Sequence, residues 1–169
     1  MQLTKNELEY VRWQNRAFRF YPAARLLFLN EQHSAAQFCG QQAIETLLKA
    51  TLMFFEPHTD PKRMGHDWGQ MLKKLDQHGH QLQIPEYFYT DRRLQTLTRY
   101  PSGMIHRNPE FLSDLDSVFL AVLKVVPYQR RSELTEALFS KTGPTHRILF
   151  RKNKQIRSMR SFIERSNRP

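Results

Sequence analysis

His66 and Asp67 are adjacent and precede an apolar-periodic stretch that begins at Trp68. Placed at a helix start, the pair can face a ligand, where free backbone N–H groups and the helix dipole favour a phosphate. It can equally be a capping pair, with the Asp67 carboxylate accepting from the first turn. Glu45 and Lys49 stand one helical turn apart in the favourable ion-pair order and read as an exposed helical couple. Cys39 falls among small residues and reads as packed and unreactive. His78 and His80 flank Gly79 with no acidic or thiol partner close in sequence, so no metal site is expected there. The one cysteine excludes an internal disulfide and a Cys-cluster zinc site. Neither a Gly-rich phosphate loop nor a Gly-x-Ser-x-Gly elbow is present, and no cofactor is expected. Lys152, Lys154, Arg157 and Arg160 form a basic set that could grip the phosphates of nucleic acid.

The elements that must carry these residues read as helices. Thr4 and Glu7 have capping-box spacing ahead of an aromatic-rich segment, Leu8 to Phe20. Pro22 either kinks that helix or opens a second, and Asn30 is a stop. Ala36, Gly40, Ala43, Ile44, Leu47, Leu48, Thr51, Leu52 and Phe55 recur at offsets of three and four, which predicts a helix over 35–55. Gly40 on that stripe lets a neighbouring helix come close, while Gln37, Gln41, Glu45 and Lys49 follow the other face. A third helix runs from Asp67 to Gly79. Thr90 can cap a short helix that Pro101 and Gly103 end. Asn108 and Pro109 then open a helix over 109–126, whose apolar run Val118 to Val126 exceeds what one bundle needs. Arg147 to Phe150 is a short strand-like run, and Ile156, Met159, Phe162 and Ile163 share one face of a basic amphipathic helix. That helix can dock on the bundle, grip RNA, or lie on an anionic membrane.

The chain has 169 residues and a net charge of +10. Residues 1–127 hold 15 Lys/Arg against 13 Asp/Glu, a net +2, and residues 128–169 hold 11 against 3, a net +8. The composition divides the chain into a near-neutral helical bundle over 1–127 and a basic C-terminal extension over 128–169. The fold class is all-α, an up-and-down bundle of four to five helices. No apolar run is long enough to span a membrane and Met1 to Lys5 carries no signal core, so a cytoplasmic protein is expected.

The segment Ala35-Ala36-Gln37-Phe38-Cys39-Gly40-Gln41-Gln42-Ala43-Ile44-Glu45-Thr46-Leu47-Leu48-Lys49-Ala50 resembles the second helix of HEPN domains, a family named for nucleotide binding in higher eukaryotes and prokaryotes. Ala23-Ala24-Arg25-Leu26-Leu27 resembles the end of its first helix, His66-Asp67-Trp68 its His-Asp-Leu start of the third, and Arg99-Tyr100-Pro101 its Arg-Tyr-Pro turn. The resemblance covers roughly residues 8 to 126. It implies a helical bundle, commonly a homodimer, that is a metal-independent RNase of toxin or defence type, a nucleotide binder, or a non-catalytic interaction module. An antitoxin or a nucleotidyltransferase is the partner class it implies.

The family's RNases share an Arg and a His separated by four to six residues. Arg99 and His106 meet that spacing at its upper limit. The residue types suit the chemistry. A histidine titrating near neutrality can exchange a proton with the ribose 2′-OH or the leaving oxygen, and an arginine can hold the scissile phosphate. Tyr100 stands where active members carry a polar residue, and Pro101 with Gly103 breaks a helical turn between the two. The alternative roles are a hydrogen-bonded turn residue for Arg99 and a loop side chain for His106.

Overall fold

In the computed structural model the described residues are 5–88, 108–125, 137 and 143–166. Thr4, the short helix expected after Thr90, and the Arg99–His106 pair lie outside them. Among the described residues the chain forms six α-helices and no strand. These are α1 (Lys5–Leu29), α2 (His33–Phe55), α3 (Trp68–Gln77), α4 (Phe111–Leu123), α5 (Pro144–Phe150) and α6 (Ile156–Ser166), with a 3-10 turn at Glu86–Phe88.

The helices α1 and α2 form the dominant antiparallel pair. Pro22 neither ends α1 nor opens a new helix; it sits inside one continuous element of 25 residues. The α2 stripe is buried as its spacing predicts. Gly40 earns its place on it: a Cβ there would lie 2.8 Å from Phe111 Cζ, so the missing side chain is what admits the first turn of α4. Phe111 in turn stacks on Phe28 and Phe88, with ring centroids 5.2 and 5.9 Å apart. Asp67 caps α3, accepting from the Gln70 N–H at 3.0 Å, and Gly79 ends it with a left-handed φ of 82°.

Three sequence readings are corrected. Asn108 does not cap α4 directly. Its Oδ1 accepts from the Glu110 N–H at 3.0 Å, so it closes a turn one residue ahead of a helix that begins at Phe111. The strand-like run Arg147 to Phe150 is helical, because Pro144 at the first turn supplies a preset φ and the described residues hold no strand to pair with. Glu45 and Lys49 are not exposed: they retain 6 % and 5 % of their accessible surface. Helical spacing places them on one face but says nothing about what covers it.

The apolar core does not stop where the charge changes. Leu149, Ile156, Met159 and Ile163 belong to the same buried cluster as Tyr21, Leu48, Leu115 and Phe119. Of the three fates open to the amphipathic helix, docking on the bundle is the one observed. The apolar run of α4 is absorbed within the chain as well, since Val118, Phe119, Leu120, Val122 and Leu123 are all buried.

Candidate nucleic-acid interface

One polar hub fixes the basic segment to the bundle. Arg25, fully buried on α1, donates from Nη1 to both oxygens of Asp116 on α4. Its Nη2 donates to the Arg151 carbonyl and its Nε to the Ile148 carbonyl, the latter at 3.3 Å. Ile148 is in the last turn of α5 and Arg151 is its C-cap, so the guanidinium closes that helix from outside. Tyr21 donates to Asp116 Oδ1 at 2.6 Å and accepts from Asn153 Nδ2 at 3.0 Å. Asn153 Oδ1 accepts from the Gln155 N–H at 2.9 Å, which turns the chain into α6. Burial raises the Asp116 carboxyl above its ordinary range, against the pull of Arg25, and burial likewise lifts the Tyr21 phenol.

With its apolar side in the core, segment 143–166 turns its charge outward. Arg147, Arg151, Lys152, Lys154 and Arg157 are exposed, and none is ion-paired among the described residues. Three of them, Arg151, Lys152 and Lys154, line a cleft of about 410 Å³ between this segment, the α1–α2 turn and the start of α4. His33 lines it too, its ring edge-on to Phe28 at 4.9 Å and its buried Nδ1 without a hydrogen-bond partner among the described residues. The carboxylates of Glu31 and Glu110 share the lining, so the cleft is mixed in charge with a cationic excess. Glu31 (φ 64°) and Lys152 (φ 53°) are the two non-glycine residues with left-handed backbone among those described, and both border this cleft. Each such conformation costs roughly 1–2 kcal/mol, and here each sits in a tight connection that α1, α2 and the hub over-determine.

Of the residues singled out in the sequence, Lys152 and Lys154 come together in this cleft, and Arg157 extends the basic surface along α6. Arg160 is half-buried, with its guanidinium 5.8 Å from the Phe150 ring centroid. His66 lies in another cluster: its Nδ1 is 2.9 Å from Glu45 Oε1, which also takes a 2.8 Å ion pair from Lys49 Nζ. Asp67 caps α3. Cys39 is half-buried and burial pushes its thiol up, which disfavours the reactive thiolate. His78 and His80 pack on the Phe55 ring. Sequence reading missed Arg25, Asp116 and His33. The one available signal was a lone arginine inside the apolar stretch Ala23 to Leu29.

The chain is matched over residues 10–116 by the family model for the HEPN domain. The chain belongs to the HEPN family, whose members often bind nucleotides or act as RNases. Neither curated proteins nor solved structures yield a match. Among the described residues no helix is long and apolar enough to cross a membrane.

Proposed function

We propose that this chain binds RNA across the basic cleft and cleaves it without a metal, with Arg99 and His106 as the reacting pair, and that it works as a homodimer. The observation that carries the reading is the docked segment 143–166. Its apolar face is committed to the core, so Arg151, Lys152 and Lys154 are held outward on the rim of a cleft. The chain reaches that rim at Pro109, three residues after His106 in sequence. In this reading Lys152, Lys154 and Arg157 contact phosphates and set affinity, with little base preference. Arg99 holds the scissile phosphate and offsets its growing charge. His106 takes the 2′-OH proton as O2′ bonds to phosphorus; the bond to O5′ breaks and the His106 imidazolium returns that proton to O5′, leaving a 2′,3′-cyclic phosphate and a 5′-OH.

The test pairs a binding assay with a cleavage assay. Fluorescence anisotropy with a labelled single-stranded RNA should show affinity falling with salt. If about five phosphates are contacted, the slope of log K against log salt is near −3.5. Lys152→Ala with Lys154→Ala should flatten that slope by about one to two units. Cleavage should persist in EDTA and vanish in His106→Ala. Binding indifferent to the two lysines rejects the cleft, and cleavage surviving both His106→Ala and Arg99→Ala rejects the pair.

A further inference from the structure

A second face of the molecule combines cations with aromatic rings. On α1, Trp13, Arg16 and Phe20 follow one another at offsets of three and four, so they share one side of the helix. The Arg16 guanidinium lies 5.7 Å from the Trp13 ring centroid and 6.0 Å from that of Phe20. Both rings are half-buried, while Arg12, Arg16 and Arg19 beside them are exposed. Beneath Trp13 the buried Lys49 ammonium lies 5.8 Å from the same ring, and the Glu45 carboxylate ties Lys49 to His66. The His66 side chain is 62 % exposed. Contacts therefore run unbroken from His66 through Glu45, Lys49 and Trp13 to Arg16 and Phe20. Lys49 backs Trp13 and Arg16 lies within 6.0 Å of two ring centroids, so neither has much rotamer freedom left to lose on binding.

We infer that this α1 face is a second contact surface, for unpaired nucleotides, on which bases stack against Trp13, Phe20 and the Arg16 plane while Arg12 and Arg19 take the adjoining phosphates. The charge argues for a polyanion, with Arg12 and Arg16 exposed against Glu9, whose carboxylate is 3.9 Å from Arg12. The rings argue for bases, because every base offers a π-face and stacking on aromatic side chains tolerates any sequence. A duplex keeps those faces inside its stack, so the surface selects single strands. The inference rests on the RNA-binding reading above, but on residues that do not line the basic cleft.

The experiment uses the full chain. The protein has two tryptophans, and Trp68 is 3 % exposed, so Trp68→Phe leaves Trp13 as the reporter. A twelve-nucleotide oligouridylate should quench Trp13 emission in step with its anisotropy curve, and a duplex of equal length should not. In the unmodified background Arg16→Ala should weaken oligouridylate binding about fivefold or more, the lower end of what loss of one stacking partner costs. Arg16 is exposed, so the change should leave the melting temperature in place. Trp13→Phe should keep most of the affinity. Oligouridylate that binds with Trp13 emission unchanged and Arg16→Ala within twofold overturns this surface while leaving the cleft standing. Absence of any anisotropy change overturns the RNA reading and this inference together. A Trp13 blue shift on anionic vesicles with no response to RNA assigns the face to a membrane and overturns it too.

Discussion

Arg25→Met is the perturbation that most directly tests how the basic segment is held. Arg25 is fully buried and donates to Asp116, to the Ile148 carbonyl and to the Arg151 carbonyl. Methionine fills a similar volume but leaves Asp116, 1 % exposed, with Tyr21 as its remaining donor. Removing one member of a buried pair costs about 3–5 kcal/mol, because the other charge is stranded. Set against a total stability of roughly 5–15 kcal/mol, that is a large share. At about 2–4 °C per kcal/mol for a chain of this size, the melting temperature should fall by about 6–20 °C. Urea melts of Arg25→Met, Asp116→Leu and the double variant measure it. The double variant should lose less than the sum of the singles, since it strands no charge. Limited proteolysis should cut first within 143–166, where Arg147 and Arg151 are exposed. A loss under 1 kcal/mol for Arg25→Met, or strict additivity in the cycle, would refute the hub as the fastening of this segment.

Gly40→Ala sets a gain of about 1 kcal/mol in helix propensity against overpacking of Phe111, at about 1–3 kcal/mol; a calorimetric scan should show a net loss near 1 kcal/mol. Glu56 titrates below its ordinary 4.5, chiefly through the hydrogen bond from Lys74 Nζ at 2.7 Å, with Thr59 and His78 adding to it. A folded pKa below the unfolded one stabilises above the unfolded value and is lost as pH falls through the folded value. Glu56→Gln should therefore flatten the fall in urea midpoint between about pH 5 and about pH 3. The homodimer should appear in light scattering at tens of micromolar, and a monomer there would reject it.

Local rules carried the sequence reading a long way and then met their limit at specific residues. The α2 stripe, the Asp67 cap, the Gly79 stop and the close approach at Gly40 are decided within a few residues of chain, so spacing and residue type display them. Burial of Glu45 and Lys49 depends on what packs over α2, which the i, i+4 rule does not contain. The Arg25–Asp116 pair joins positions 91 residues apart, and its two carbonyl acceptors lie 123 and 126 residues from Arg25. The composition step after residue 127 is real, yet Leu149, Ile156, Met159 and Ile163 show that charge and core follow different boundaries. His33 gave no warning in sequence, because its significance comes from the cleft that α4 and Lys152 close around it.

The Tyr21–Asn153 bond spans 132 residues, and its consequence reaches back to synthesis. At roughly 5–20 residues per second, about 7–26 s separate the ribosome's addition of Tyr21 from that of Asn153. During that interval Arg25 and Tyr21 wait without their carbonyl and amide partners, and the surface that Met159 and Ile163 will cover stays open. The last closure of the core therefore waits on segment 143–166, and its non-local contacts slow folding relative to a bundle stitched by neighbours alone. The nascent chain presents an unfinished seam to chaperones until the basic segment has emerged.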